Sequence, residues 1–204
     1  MYKRMNEQLQ KEGAMALVTG ASSGIGLAYA RELARRGYDL LLVSNEQEQI
    51  GTVAEELAAA FGVKTIPLCM DLARSEAARE LYEYCEREKL QIGILVNNAG
   101  IFFFDDLTEV APERIETMLL LHIRTVTLLC RYFGAAMKRR RAGYILNMSS
   151  LSAWTPAPGI SVYAASKSYI RKFSQMLRYE LHQYGVGQKQ YDKFLAINDY
   201  QRMK

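Results

Sequence analysis

The chain has 204 residues, half of them hydrophobic and 24% charged, which suffices for one α/β domain with a sizeable core. No stretch approaches the ~18 consecutive apolar residues of a membrane-spanning helix, and residues 1–12 lack the apolar region of a signal peptide. Cys69, Cys85 and Cys130 lie too far apart for metal-ligand spacing. A cytoplasmic protein with no membrane partner and no metal is expected. The net charge is +4, and its sharpest local excess is Lys138-Arg139-Arg140-Arg141. That run suits an anionic partner or a helix C-terminus, where cations complement the macrodipole. The second reading is favoured, because no aromatic residues interleave the cations, and no nucleic-acid partner is expected.

In chain order, an apolar run at 14–18 predicts a strand entering Thr19-Gly20-Ala21-Ser22-Ser23-Gly24-Ile25-Gly26. Glycines permit a sharp turn and a close backbone approach, and the N–H groups opening the next helix favour a phosphate. The same glycines can also serve packing alone. Helical spacing follows over 25–36, closed by Gly37, then a strand over 38–43 and a helix over 46–61 closed by Gly62. A third strand (63–68), a third helix (75–89) and a fourth strand (92–96) lead into Asn97-Asn98-Ala99-Gly100. A long helix from Pro112 to about residue 137, a fifth strand over 144–148 and a helix over 162–184 complete the pattern. Strands alternating with long helices imply right-handed crossovers and a parallel sheet covered on both faces, a doubly wound Rossmann-type α/β fold. Ligands bind beyond the carboxyl ends of such strands. Gly20, Ser44, Asp71, residues 97–100 and Ser150 therefore fall on one crevice.

Tyr163 and Lys167 stand four apart in the last helix, so both side chains share one face. An ammonium near a phenol favours the phenolate, which suits Tyr163 to proton transfer. Ser150, at the end of the fifth strand, can donate to an oxygen that gains charge.

The glycine turn, the Asn97–Gly100 segment, Ser150 and Tyr163-x-x-x-Lys167 occur in the order and spacing of the short-chain dehydrogenase/reductase family, which the chain resembles over about residues 14–186. The resemblance implies an oxidoreductase moving a hydride between NADP(H) or NAD(H) and a carbonyl or alcohol substrate. Tyr163 would be the general acid/base, and Lys167 would bind the nicotinamide ribose and tune Tyr163. Ser150 would hold the substrate oxygen, with Ser149 a less well spaced alternative. The cofactor would be lined by Gly20, Ser22, Ser23, Gly24, Ile25, Gly26, Ser44, Asn45, Asp71, Leu72, Asn98, Ala99, Gly100, Tyr163 and Lys167. For Asp71 a cap or turn role has equal claim.

Three departures from the family pattern stand out. His122 occupies a position usually held by asparagine; a proton-relay role and simple helix packing have similar claims. Ser23, Ser44 and Asn45 are neutral where cofactor choice is usually decided; Ser44 and Asn45 could donate to a phosphate and Glu46 would oppose it, leaving NADP slightly preferred over NAD. After residue 186 the polar sequence gives no strand pattern, so strands six and seven are expected to be absent. The expected organisation is a polar extension (1–13), a truncated dinucleotide-binding and catalytic domain (14–186) and a divergent tail (187–204). That keeps open a nucleotide-binding pseudoenzyme, or a frameshifted product without turnover. Phe102-Phe103-Phe104 could line the substrate side or fill the core, and Trp154 with Pro156 and Pro158 would shape the substrate mouth. Helices near 112–137 and 162–184 would carry a homodimer.

Overall fold

The structure is a computed structural model that describes Leu9, residues 13–155 and residues 157–191. Six parallel strands form one sheet in the order β3-β2-β1-β4-β5-β6. They are β1 (Met15–Thr19), β2 (Leu40–Ser44), β3 (Thr65–Cys69), β4 (Ile92–Asn97), β5 (Gly143–Met148) and β6 (Val186–Tyr191). The helices are α1 (Gly24–Arg35), α2 (Gln47–Phe61), α3 (Ala77–Arg87), α4 (Pro112–Leu119), α5 (Val126–Arg140) and α6 (Ser161–His182). A π-helical segment, Leu120–Thr125, joins α4 to α5, so the expected long helix is continuous but wound differently at its centre.

Alternation divides the buried strands between two cores. Leu17, Leu41, Leu95 and Ile145 face Leu81, Phe133, Met137 and Ile170 of α3, α5 and α6. Ala16, Val18, Leu40, Leu42 and Val96 face Ala30 and Ala34 of α1 and Ile50, Val53 and Leu57 of α2. Burial on both faces is why these strands read as continuous apolar runs. The basic run lies at the end of α5. Arg140 donates to Ile92 O, and Lys138 Nζ stands 3.9 Å from the Tyr184 ring centroid. Arg141 closes the helix in the left-handed region, at φ 54°.

One expected absence is corrected. Residues 186–191 form a strand that pairs in register with β5 from Gly143↔Val186 to Met148↔Tyr191. Val186 is buried in the α3/α5/α6 core. Ladder hydrogen bonds belong to the backbone, so a run as polar as Gly187-Gln188-Lys189-Gln190 can pair at a sheet edge without an apolar pattern. Residues 1–8, 10–12, Pro156 and 192–204 lie outside the described residues, and with them most of the N-terminal extension, most of the tail and any seventh strand. Among the described residues, no helix is long and apolar enough to cross a membrane, and no group of three His, Cys, Asp or Glu is placed to hold a metal.

Candidate active site

Strand order reverses at β1: β2 pairs on one side of it and β4 on the other. The loops leaving β1 and β4 part there, opening the crevice in which doubly wound sheets bind ligands. Thr19 ties the two loops together. Its Oγ1 donates to Val96 O and accepts the N–H groups of Asn98 and Ala99, each at 3.0 Å. Asn98 Nδ2 returns bonds to Thr19 O and Gly20 O at 3.0 and 3.1 Å.

The glycines of the turn divide into two kinds. A Cβ at Gly20 would stand 2.9 Å from Ala99 Cα, and one at Gly26 would stand 2.0 Å from Gly20 O. Those two glycines let loop, helix and strand close on one another. Gly24 has φ +55° and nothing within 4 Å of where its Cβ would lie. It keeps the N-terminus of α1 open. Ser23 caps α1 without a side-chain hydrogen bond, so the helix N-terminus is left for an anionic group.

A cleft of about 490 Å³ runs along this edge of the sheet. Among the predicted residues its lining gathers Gly20, Ser22, Ser23, Gly24, Ile25, Ser44, Asn45, Asp71, Leu72, Asn98, Ala99, Gly100, His122, Tyr163 and Lys167. Gly26 and Ser150 are outside that lining. Gly26 is a packing residue of α1, as the close approach of Gly20 O requires. Asp71 lines the cleft and also accepts from Ala73 N–H at 2.9 Å, so both readings of it have a structural basis.

At the far end, Tyr163 is 5% exposed, with Phe102 edge-on to its ring at 4.9 Å between centroids. Lys167, 5% exposed, donates from Nζ to Met148 O at 3.1 Å and stands 5.6 Å from the Tyr163 ring centroid. Ser150 Oγ accepts from both the N–H and the hydroxyl of Ser152, at 3.3 and 2.9 Å. Both lone pairs are then engaged, and the proton is left to donate. Ser149, by contrast, is fully buried and donates to Lys167 O, a structural role. Phe103 packs in a small core with Val110, Met118 and Tyr163, whereas Phe102 lines the cleft. Trp154 borders a second, open hollow beside α6, with the Arg171 guanidinium over its ring.

His122 sits in the π-helical segment, 1% exposed, between the β4 loop and α6. Its Nε2 accepts from Ile101 N–H at 3.0 Å. Its Nδ1 is 2.9 Å from Ser166 Oγ, which itself donates to Tyr163 O at 2.7 Å. Ser166 has one proton, already given to Tyr163 O, so the contact requires His122 Nδ1 to donate. Both nitrogens are thereby assigned: the imidazole is the neutral Nδ1–H tautomer.

Ser166 is a residue that sequence reasoning missed. Its spacing, three after Tyr163 and one before Lys167, was the available signal. Below the site, Asn97 Nδ2 donates to Asn147 Oδ1 and Asn147 Nδ2 to Ser174 Oγ, at 2.8 and 2.9 Å, fastening β4, β5 and α6. Burial pushes the neighbouring Cys130 thiol up to about 12. It is a packing group, not a nucleophile.

This geometry fits a dinucleotide: a glycine cradle closed to any Cβ at Gly20, an open helix N-terminus, and a buried Tyr–Lys pair at the other end. A family model described as short chain dehydrogenase matches residues 14–188. A very-long-chain 3-oxoacyl-CoA reductase of Anas platyrhynchos is 36% identical over 181 residues, 85% of this chain and 57% of that protein. A Homo sapiens protein named inactive hydroxysteroid dehydrogenase-like protein 1 is 33% identical over 183 residues, 87% of this chain and 54% of its own length. The chain thus spans little more than half of these curated relatives. Among solved structures, a short-chain dehydrogenase from Sphingobium yanoikuyae in complex with NADPH is 34% identical, with a TM-score of 0.80 over 85% of this chain and 67% of that one. From the matched family model and the architecture together, the chain belongs to the short-chain dehydrogenase family.

Proposed function

We propose that this chain is an oxidoreductase that uses a nicotinamide dinucleotide, NADP(H) or NAD(H), to interconvert a carbonyl and an alcohol. The observation that carries the reading is the buried Tyr163–Lys167 pair at one end of a cleft whose other end is the open N-terminus of α1. A nicotinamide cofactor, when bound, would supply or take the hydride at the substrate carbon. Tyr163 gives a proton to the substrate oxygen in reduction and takes one back in oxidation. Ser150 donates its remaining proton to that oxygen. Lys167, with Asn98, Ala99 and Gly100, would hold the nicotinamide ribose end. Gly20, Ser23, Gly24 and Ile25 would cradle the pyrophosphate, and Ser22, Ser44, Asn45, Asp71 and Leu72 would take the adenosine. Support for the cofactor class comes from the NADPH complex of the Sphingobium relative. The test is absorbance at 340 nm with each reduced cofactor across a broad panel of ketones. Cofactor-dependent turnover is expected; tight cofactor binding with no turnover on any ketone counts against the reading.

A second reading, a nucleotide-binding protein without turnover, is favoured by one specific observation. His122 has both nitrogens committed to Ile101 and Ser166, so it is poorly suited to relay protons to the site. A relative named inactive is consistent with it. Turnover abolished by Tyr163→Phe would rule this reading out. A cytoplasmic homodimer through α5 and α6 belongs to the leading proposal, supported by Tyr169, Met176 and Tyr179, which α6 leaves exposed. Sedimentation as a monomer at micromolar concentration would remove that part.

A further inference from the structure

His122, Ser166 and the backbone on either side of them form a chain of hydrogen bonds in which every donor points the same way. Ile101 N–H donates to His122 Nε2 at 3.0 Å, and His122 Nδ1–H donates to Ser166 Oγ at 2.9 Å. Ser166 Oγ–H then donates to Tyr163 O at 2.7 Å. Bonds aligned head to tail polarise one another, and a low local dielectric strengthens each. His122 is 1% exposed and Ser166 0%, so bulk water does not compete for these bonds. The chain ends on the backbone carbonyl of Tyr163, not on its phenol, so it carries no proton to a substrate. What it joins are two walls of the site. Ile101 lies between Gly100 and Phe102 in the lining of the cleft, and Tyr163 stands in the first turn of α6. The imidazole between them comes from a third element, the π-helical segment, a winding that recurs at functional sites.

From this geometry we infer that His122 and Ser166 are a positioning pair that fixes the Tyr163 turn of α6 against the Gly100–Phe102 loop, and that the pair holds only while the imidazole is neutral, an inference that rests on the oxidoreductase reading of Tyr163. An imidazolium donates from both nitrogens, so its Nε2–H would face the Ile101 N–H, donor against donor. It would also set a charge beside a lysine. A Cβ at Gly100 would stand 2.9 Å from His122 Nε2 and 3.7 Å from Lys167 Nζ, so the two nitrogens converge on one place. Facing the ring from α6 are Lys167 and Tyr163, the latter at 5.8 Å between ring centroids. The β4 loop presents backbone to it, and Arg124, on the same π-helical segment, is turned to Glu76. Imidazole is the side chain that ordinarily changes charge between about pH 5 and 8. Acid therefore detaches the loop from the helix, and misplacing reacting groups by about 1 Å can cost about 100-fold in rate.

The experiment follows the imidazole by NMR of isotope-labelled histidine in the chain without cofactor, beside kcat and cofactor Kd, from about pH 8 to about pH 5. The chain has two histidines, and the signals lost in His122→Asn belong to His122. Asparagine keeps an acceptor for Ile101 and a donor for Ser166 but cannot titrate. The expected result is the Nδ1–H tautomer at the alkaline end and a kcat that falls with the same midpoint as the imidazole gains its proton. His122→Asn should flatten that acid limb and keep most of the alkaline rate. Ser166→Ala should lower the alkaline kcat by about tenfold or more while cofactor Kd stays within about threefold. Circular dichroism verifies folding, and where Ser166→Ala does not fold the pH profile of His122→Asn decides. An Nε2–H tautomer overturns the pair itself, whatever the activity. An acid limb that persists in His122→Asn, or an unchanged kcat in folded Ser166→Ala, reduces the pair to packing and overturns its positioning role. A wild type that shows the Nδ1–H tautomer but turns over no ketone overturns the oxidoreductase reading, and the positioning role with it, while leaving the bonds in place.

Discussion

At the scale of single residues, the site depends on a few side chains whose partners define their roles. Tyr163 is the proposed proton donor, so Tyr163→Phe is predicted to lower kcat by at least about 100-fold. Its effect on the cofactor Kd should stay within about threefold, because the phenol oxygen is assigned to substrate; a fluorescence titration alongside the 340 nm assay separates the two effects. His122 is held by bonds that its neutral tautomer alone can make. Replacing it with leucine keeps an apolar core group but strands the Ile101 N–H, and Ser166 loses its donor. His122→Leu should therefore cost about 2 kcal/mol of stability, read as a lower urea midpoint at unchanged slope. A midpoint equal to that of the wild type would show that these bonds contribute nothing net.

At the scale of elements, the glycine turn and the helices around it are set by space and backbone conformation. A Cβ at Gly26 would collide with the Gly20 carbonyl, which is backbone and cannot step aside. Gly26→Ala is expected to destabilise by about 1–3 kcal/mol or to prevent folding. Gly51, inside α2, is the opposite case, with nothing within 4 Å of where its Cβ would lie. Gly51→Ala should stabilise by about 0.5–1 kcal/mol, since alanine removes backbone freedom from the unfolded chain. Thermal melts of the two variants beside the wild type check both directions. Most of these elements were legible in the sequence because their signals are local: apolar runs, helical spacing, Gly37 and Gly62 after helices, and Tyr163 four before Lys167. The π-helical segment was not, because its wider turn barely disturbs the apolar spacing on which a helix is recognised. Nor was β6, where the pairing is made by backbone groups that leave no mark on side-chain pattern. The hydrogen bonds that join Ser22, Ser44 and Glu46 were only half legible. Ser22 could be placed in the glycine turn, Ser44 at a strand end and Glu46 at a helix start, but the direction in which the Glu46 carboxylate turns is a tertiary fact.

At the scale of the whole molecule, the sheet buries two of the three cysteines. Cys69 is exposed, while burial pushes the Cys85 and Cys130 thiols up to about 12 from an ordinary 9.0. The folded chain should therefore give one fast-reacting thiol with a disulfide reagent at pH 8, and three only after denaturation. The same shifts fix the sign of an alkaline effect. A thiol whose proton is held more tightly in the folded state contributes stability that is fully present below pH 9 and is lost as pH rises from 9 toward 12. Urea midpoints measured across that range should fall as pH rises.

Sheet, turn and helix meet in one proposal: the cleft moves a hydride, and Tyr163 supplies the matching proton. Its most direct test is mass spectrometry of the alcohol formed from a ketone and reduced cofactor carrying deuterium at the transferable position. One deuterium is expected at the former carbonyl carbon with the wild type, and almost none with Tyr163→Phe at equal cofactor occupancy. Unlabelled product, or labelling that survives Tyr163→Phe undiminished, would contradict it.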